Sequence, residues 1–196
     1  MKQDMPMSIC FSLPKWVAAY VDSCKAAGTD EARMSLVVEA ARRNVLEGSG
    51  GPFAAAVFES ASGRLVALGV NRVVPEGLSM LHAEIAAYSM AQRRLGTYDL
   101  GGPGLPSHEL VTSTEPCVMC LGATCWSGVT RVVTATTDAD ARAMGFDEGP
   151  KPSDWAGELE RRGIAVKTGI LRDEALAVLK TYRNMGGEIY NSRRGS

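Results

Sequence analysis

Leu81-His82-Ala83-Glu84 and Glu115-Pro116-Cys117-Val118-Met119-Cys120 are the two stretches around which this sequence is organised. The first sets a His and a Glu two positions apart; the second sets two Cys three positions apart, opened by a Pro. Neutral imidazole and thiolate are the side chains zinc prefers, and three protein ligands leave a fourth tetrahedral position for water. His82, Cys117 and Cys120 are thus candidate ligands for one zinc ion per chain, with Glu84 left over as a spare acid. A closed structural site needs a fourth Cys or His, and His108, Cys10, Cys24 and Cys125 stand at no finger-like spacing. A C-x-x-C pair alone reads equally as a redox pair or part of a zinc knuckle. The His-x-Glu and the Pro favour the open site.

Both stretches also open helices. Leu81, Ile85, Tyr88, Ala91 and Leu95 recur with helical spacing. Pro116 is a favoured first helical residue, and Val118, Leu121, Cys125 and Trp126 continue the pattern behind it. A metal between two helix N-termini feels two positive dipole ends, which favour thiolates and acidify water. Glu84 is not needed as a ligand, so it is free to stand beside the open metal position and move protons.

The arrangement H-x-E…P-C-x-x-C resembles the zinc-dependent cytidine-deaminase-like superfamily. The resemblance runs from about Glu31 to Asn191 and leaves residues 1–28 as an N-terminal extension. It implies an α/β fold of three layers, α/β/α, around a mixed central sheet of about five strands.

Composition is compatible with that fold. The 196 residues suit one domain with a sizeable core. Hydrophobic residues make up 45%, and no apolar run approaches the roughly 20 residues of a membrane span. The start lacks the pattern of a signal peptide. Five cysteines, two of them assigned to metal, point to reduced thiols and a cytoplasmic location. A net charge of −1 provides no positive field for nucleic acid, and the Arg193-Arg194 pair is too small to change that. Neither a membrane nor a nucleic acid is expected as a partner.

From the N-terminus, Lys15–Ala27 is a short helical candidate for packing against the body or a second subunit. Thr29-Asp30-Glu31 is a capping signal for a helix over Met34–Glu47, which the Gly48–Pro52 turn stops. Phe53–Glu59 and Arg64–Val74 read as a hairpin of two strands. Glu109–Thr114 and Val129–Thr136 are further strands, each following a helix; that alternation implies parallel pairing and right-handed crossovers. Both metal loops then lie at the carboxyl ends of strands, the usual ligand edge of such a sheet. Thr137–Pro152 reads as a polar stretch, followed by a helix at Ser153–Arg162, a strand at Ile164–Thr168 and a helix at Arg172–Met185. Gly186-Gly187 breaks that helix before a tail over residues 187–196. Asn71 closes its strand beside the metal loop; it either ends the strand or reads donor and acceptor edges of a base with its amide.

The segments around the motif resemble the purine-acting branch, notably Gly51–Val57 and Asn71-Arg72-Val73. Gly145-Phe146-Asp147-Glu148 and the tail Ile189-Tyr190-Asn191 resemble bacterial guanine deaminases of this fold. That resemblance implies a purine-base substrate, Glu148 as a second acid, Tyr190 near the base, and a homodimer whose subunits exchange the tail. Guanine shows two adjacent donors, N1–H and the 2-amino group, which one carboxylate accepts together. Adenine lacks that pair, so the same Glu is then a buried, unpaired charge. The implied chemistry is attack of zinc-activated water on C2, with Glu84 carrying protons. Asn71 and the Ala83 backbone N–H fix the ring edge, while Phe53 and Trp126 serve either as stacking partners or as ordinary core. Without the resemblance, Asp147-Glu148 reads as a solvated acidic turn. Other substrates compatible with the motif are adenosine in tRNA, guanosine, cytosine and aminotriazines such as ammeline; a non-enzymatic zinc module leaves Glu84 without a use.

Overall fold

A computed structural model describes residues 5–24 and 26–191. Its sheet has five strands: β1 (Ala54–Glu59), β2 (Leu65–Val70), β3 (His108–Thr114), β4 (Arg131–Thr136) and β5 (Ala165–Lys167). Their spatial order is β2-β1-β3-β4-β5. Strand β1 runs antiparallel to both neighbours, β2 and β3, while β3, β4 and β5 are parallel. The expected mixed sheet is therefore present. Because β1 is inserted between them, β2 and β3 point the same way without pairing. Their carboxyl ends emerge at one edge of the sheet, and both metal loops start there.

Helices cover both faces. One layer holds α1 (Trp16–Ser23), α2 (Asp30–Leu46), α6 (Asp138–Ala143) and α8 (Arg172–Asn184). The other holds α4 (Ala83–Leu95), α5 (Val118–Ser127) and α7 (Trp155–Glu160). A short α3 (Val73–Glu76) lies between β2 and α4. Alternation along β1 divides the core: Ala54, Ala56 and Phe58 face α2, whereas Ala55 and Val57 face α4. A strand buried on both faces has to be apolar, as this one is from Ala54 to Phe58 before it ends at half-buried Glu59.

Local signals set several boundaries. Thr29 caps α2 by accepting the Ala32 N–H at 3.1 Å, and Asp30 and Glu31 occupy its first turn. Gly96 ends α4 in the left-handed region at φ 67°. Packing of α4 on β2 is closest at Gly69, where a Cβ would stand 2.2 Å from the Ala83 carbonyl and 2.4 Å from the Ala87 nitrogen. Only glycine permits that approach, and it fixes the start of α4 over the end of β2.

Two expectations about elements need correction, and one helix joins those expected. The second hairpin strand stops at Val70 instead of Val74, and Val73–Glu76 forms α3. Its β-branched pair suggested a strand, but Gly77, left-handed at φ 64°, closes a helical turn there. The stretch from Thr137 contains α6, opened by a capping box between Thr137 and Asp140. The first helix ends at Ser23, short of Ala27. Ala27 instead bonds to Gly63 through its N–H and accepts the Arg33 Nε–H.

One buried polar network ties the helical layer to the sheet. Glu109, 1% exposed on β3, pairs with Arg33 of α2 and with Arg131 of β4 at 2.9 Å. Arg131 in turn forms a fork with Asp30 at 2.7 Å on each oxygen, which holds that carboxyl well below the usual carboxylate range. The spacing of these residues, far apart in the chain, is not visible in any local pattern. Among the described residues, no helix is long and apolar enough to cross a membrane.

Candidate active site

His82 is the N-cap residue of α4 and Cys117 the N-cap residue of α5, both with extended backbone and neither capping through its side chain. Each therefore projects from a helix N-terminus whose first amides lack helical partners. The two helices begin side by side at the sheet edge. This brings Cys117 Sγ to 3.4 Å from His82 Nδ1. Cys120, one turn into α5 and fully buried, completes the group: one donor atom from each of the three lies within 4.8 Å of the others. A tetrahedral zinc with Zn–S of about 2.3 Å and Zn–N of about 2.0 Å needs ligand atoms at such separations. The donor set and its spacing fit zinc.

Around this group lies a cavity of about 170 Å³. That is below the roughly 300–1,000 Å³ of sites for drug-sized ligands and suits a single heterocyclic base. Glu84 reaches it from the first turn of α4, 6% exposed, and Glu148 from the loop after α6, 7% exposed. Burial, then the negative charge of Cys117, pushes Glu84 up to about 6. The same two causes, joined by Glu84 itself, raise Glu148 to about 8. A hydrogen bond from the Cys120 thiol holds Cys117 down to about 4, while Cys120 is pushed well above its ordinary value by that neighbour and by burial. Burial opposes the His82 cation, yet the Cys117 sulfur beside its ring raises it overall. Thiolates and carboxylates thus converge and disfavour one another's charge, the situation that a divalent cation relieves.

Asn71 is 1% exposed and held on every side. Its N–H donates to Phe53 O at 2.9 Å, its carbonyl accepts from Asn44 Nδ2 at 3.0 Å, and its amide donates to the Tyr190 hydroxyl at 2.6 Å. The Gly50-Gly51 turn exists to admit it, since a Cβ on Gly50 would stand 2.0 Å from the Asn71 carbonyl oxygen. Phe53, Phe146 and Tyr190 form an aromatic wall, with Phe53 edge-on to Phe146 at 4.8 Å between centroids.

Placement of the sequence-derived residues is as follows. His82, Cys117, Glu84, Ala83, Asn71, Phe53, Glu148 and Tyr190 all reach the cavity wall, with Cys120 directly behind it. Trp126 does not. It is 85% exposed on the outer side of α5 and outside the cavity, so it has no base to stack on in its own chain. Glu148 is buried beside Asp147, whose side chain is 58% exposed; the acidic turn is solvated at one residue only. The described part of the tail, residues 187–191, lies on the pocket of the chain it belongs to. Asn191 accepts the Asp147 N–H at 2.9 Å and donates to Gly145 O at 2.8 Å. Arg193 and Arg194 lie outside the described residues. Unassigned from sequence were Ser79, Phe146, Thr114 and Glu115, which also line the cavity. Two of these had a signal: Phe146 precedes the Asp147-Glu148 pair, and Glu115 opens the Cys motif.

Residues 27–136 match the family model of the cytidine and deoxycytidylate deaminase zinc-binding region. The chain belongs to this deaminase family. Within the family, it is 36% identical over 118 residues to a guanine deaminase of Bacillus subtilis, covering 60% of this chain and 71% of that protein. The solved structure of a guanine deaminase from Nitrosomonas europaea is 50% identical, with a TM-score of 0.88, covering 93% of this chain and 100% of the other. A structure of NE0047 in complex with 2,6-diaminopurine is 53% identical, with a TM-score of 0.86, over 93% of this chain and 96% of that one. The zinc that family membership implies agrees with the donor set found here.

Purified protein should accordingly carry close to one zinc per chain. Elemental analysis checks this. Replacing Cys117 or His82 should remove most of the metal, while Ser at Cys10, Cys24 and Cys125 should leave it in place. Zinc lost from one of the latter variants, without unfolding, would mean that the ligands are misassigned.

Proposed function

We propose that this chain hydrolyses guanine to xanthine and ammonia, with zinc held by His82, Cys117 and Cys120. The observation that carries the reading is the burial of a second carboxylate, Glu148, in the metal pocket. A buried acid without donors prefers its neutral form, hence its raised pKa of about 8. The N1–H and 2-amino group of guanine supply two parallel donors, and these favour the carboxylate. The relatives named as guanine deaminases, and the NE0047 structures with 2,6-diaminopurine and 8-azaguanine, support a purine at this place.

When bound, zinc supplies Lewis acidity that makes water acidic enough to act as a nucleophile near neutral pH. The chain's own groups do the rest. Asn71, fixed by Asn44 and the Phe53 carbonyl, presents its amide to the ring edge. The Ala83 N–H, an unpaired amide at the start of α4, donates to an acceptor of the same edge. Phe53 contributes apolar surface to the ring plane, and Tyr190 closes the pocket beside Asn71. Glu84, buried beside the metal ligands in the first turn of α4, is placed to take a proton from water and return it. In guanine N1 already bears hydrogen, so Glu84 protonates N3 as C2 becomes tetrahedral, and then the amine that departs. Water adds, ammonia leaves, and the 2-carbonyl of xanthine remains.

Glu84→Gln should keep zinc and base binding while turnover falls on the order of 10²–10⁴-fold. Glu148→Gln puts a donor opposite a donor, and kcat/KM for guanine should drop by an amount worth about 2–5 kcal/mol. Steady-state assays at matched zinc content check both. Normal guanine kinetics in the Glu148 variant would remove the basis of the substrate assignment.

We also propose a homodimer formed over the outer face of α5. Met119, Gly122 and Trp126 stand at helical spacing on that face and leave Trp126 almost bare to solvent. Such a stripe suits a second copy of the same surface. Sedimentation velocity should show a dimer, and Trp126→Glu should yield monomer; a monomeric parent protein would overturn the assignment.

A further inference from the structure

Glu148 sits in a loop with no regular structure, between Gly145 and Gly149, both left-handed at φ 102° and 70°. A recognition carboxylate on such a loop needs anchors, and most of those visible are single hydrogen bonds. The Val118 N–H donates to the Glu148 carbonyl at 3.0 Å, and Arg142 donates to Gly149 O at 2.7 Å. Two side chains do more: Asn191, which bonds both Asp147 N–H and Gly145 O, and Lys151, three residues beyond Glu148. The Lys151 side chain is only 5% exposed, with Nζ 3.2 Å from Glu115 Oε2 and 3.3 Å from Asp138 Oδ1. The buried ring of Trp155 lies 5.1 Å from the same nitrogen.

Those two carboxylates belong to different parts of the site. Glu115 follows β3 and stands two residues before Cys117; Asp138 opens α6 after β4. Glu115 Oε2 also accepts the Asp138 N–H at 3.0 Å. One ammonium thus joins the metal-ligand loop, the end of β4 and the loop bearing Glu148. Burying an ion cluster gains little stability over apolar side chains of the same size, because desolvation offsets the attraction. What it does gain is register, since charges pair in one arrangement only. We propose that Lys151 is a positioning residue, whose cluster with Glu115 and Asp138 holds the Glu148 carboxylate at the metal-ligand loop and so sets base specificity. This inference rests on the reading of Glu148 as the acceptor of guanine.

Kinetics on the zinc-loaded full chain test it, with guanine as substrate and Lys151→Met, Glu148→Gln and the double variant compared. Met keeps most of the length of the side chain and removes its charge. A misplaced acceptor weakens base binding, so Lys151→Met should raise KM by at least about tenfold at unchanged zinc content. In the Glu148→Gln background the same change should have no further effect on KM, because both act through one carboxylate. A merely structural lysine lowers the folded fraction, hence kcat per chain, and leaves KM alone; that result overturns the proposal. An equal KM rise in both backgrounds overturns it as well. If Glu148→Gln itself leaves guanine kinetics unaltered, the parent reading fails and this one with it. If that variant is impaired and Lys151→Met is not, only the positioning role fails. Should Lys151→Met not fold, Asp138→Asn, on the more exposed side of the cluster, must still raise KM; an unchanged KM there overturns the proposal.

Discussion

Two helices beginning side by side at one edge of the sheet impose the constraint on which this site depends. Their N-cap residues, His82 and Cys117, approach to 3.4 Å, and Cys120 closes the group from one turn further in. Two carboxylates are then buried against the same sulfurs. With Cys117 charged, Cys120, Glu84 and Glu148 are each pushed toward their neutral forms. A divalent cation at the sulfurs and imidazole relieves this, and in the proposed reading a ligand with two adjacent donors does the same at Glu148. The chemistry of the site follows from that unmet demand.

Fixing the approach requires the sheet beneath it. Gly69 lets α4 lie against β2 at a distance no side chain allows, and the Gly50-Gly51 turn admits Asn71 in the same way. Insertion of β1 between β2 and β3 sends both carboxyl ends to one edge, so that the two metal loops meet. The Arg33–Glu109–Arg131 network does comparable work away from the pocket, joining α2 to the middle of the sheet.

What could be read from sequence was local. The metal ligands, the cap at Thr29 and both metal helices are written within a few residues of one another, and the structure places them as expected. The phase of α5 was not readable. It is apolar nearly all round, so Val118, Leu121, Cys125 and Trp126 looked like one buried stripe. In fact Cys120, Leu121 and Thr124 face inward and Trp126 faces out. Helix α6 escaped for the opposite reason, having too few apolar residues for its period to show, although its capping box was present. Burial of Glu148 beside exposed Asp147 depends on contacts with α5 and the tail, which no window along the chain contains. Resemblance to a family supplied that residue; composition and spacing did not.

The most direct measurement is ammonia release by the zinc-loaded protein from guanine, adenine, cytosine, guanosine and a tRNA bearing the target adenosine, assayed in parallel. A pocket that pairs a buried carboxylate with two donors should turn over guanine with kcat/KM at least on the order of 10²-fold above adenine or cytosine, which lack the donor pair. Preference for adenosine in tRNA, or for cytosine, would contradict the assignment of Glu148 and with it the account of why this acid is buried here.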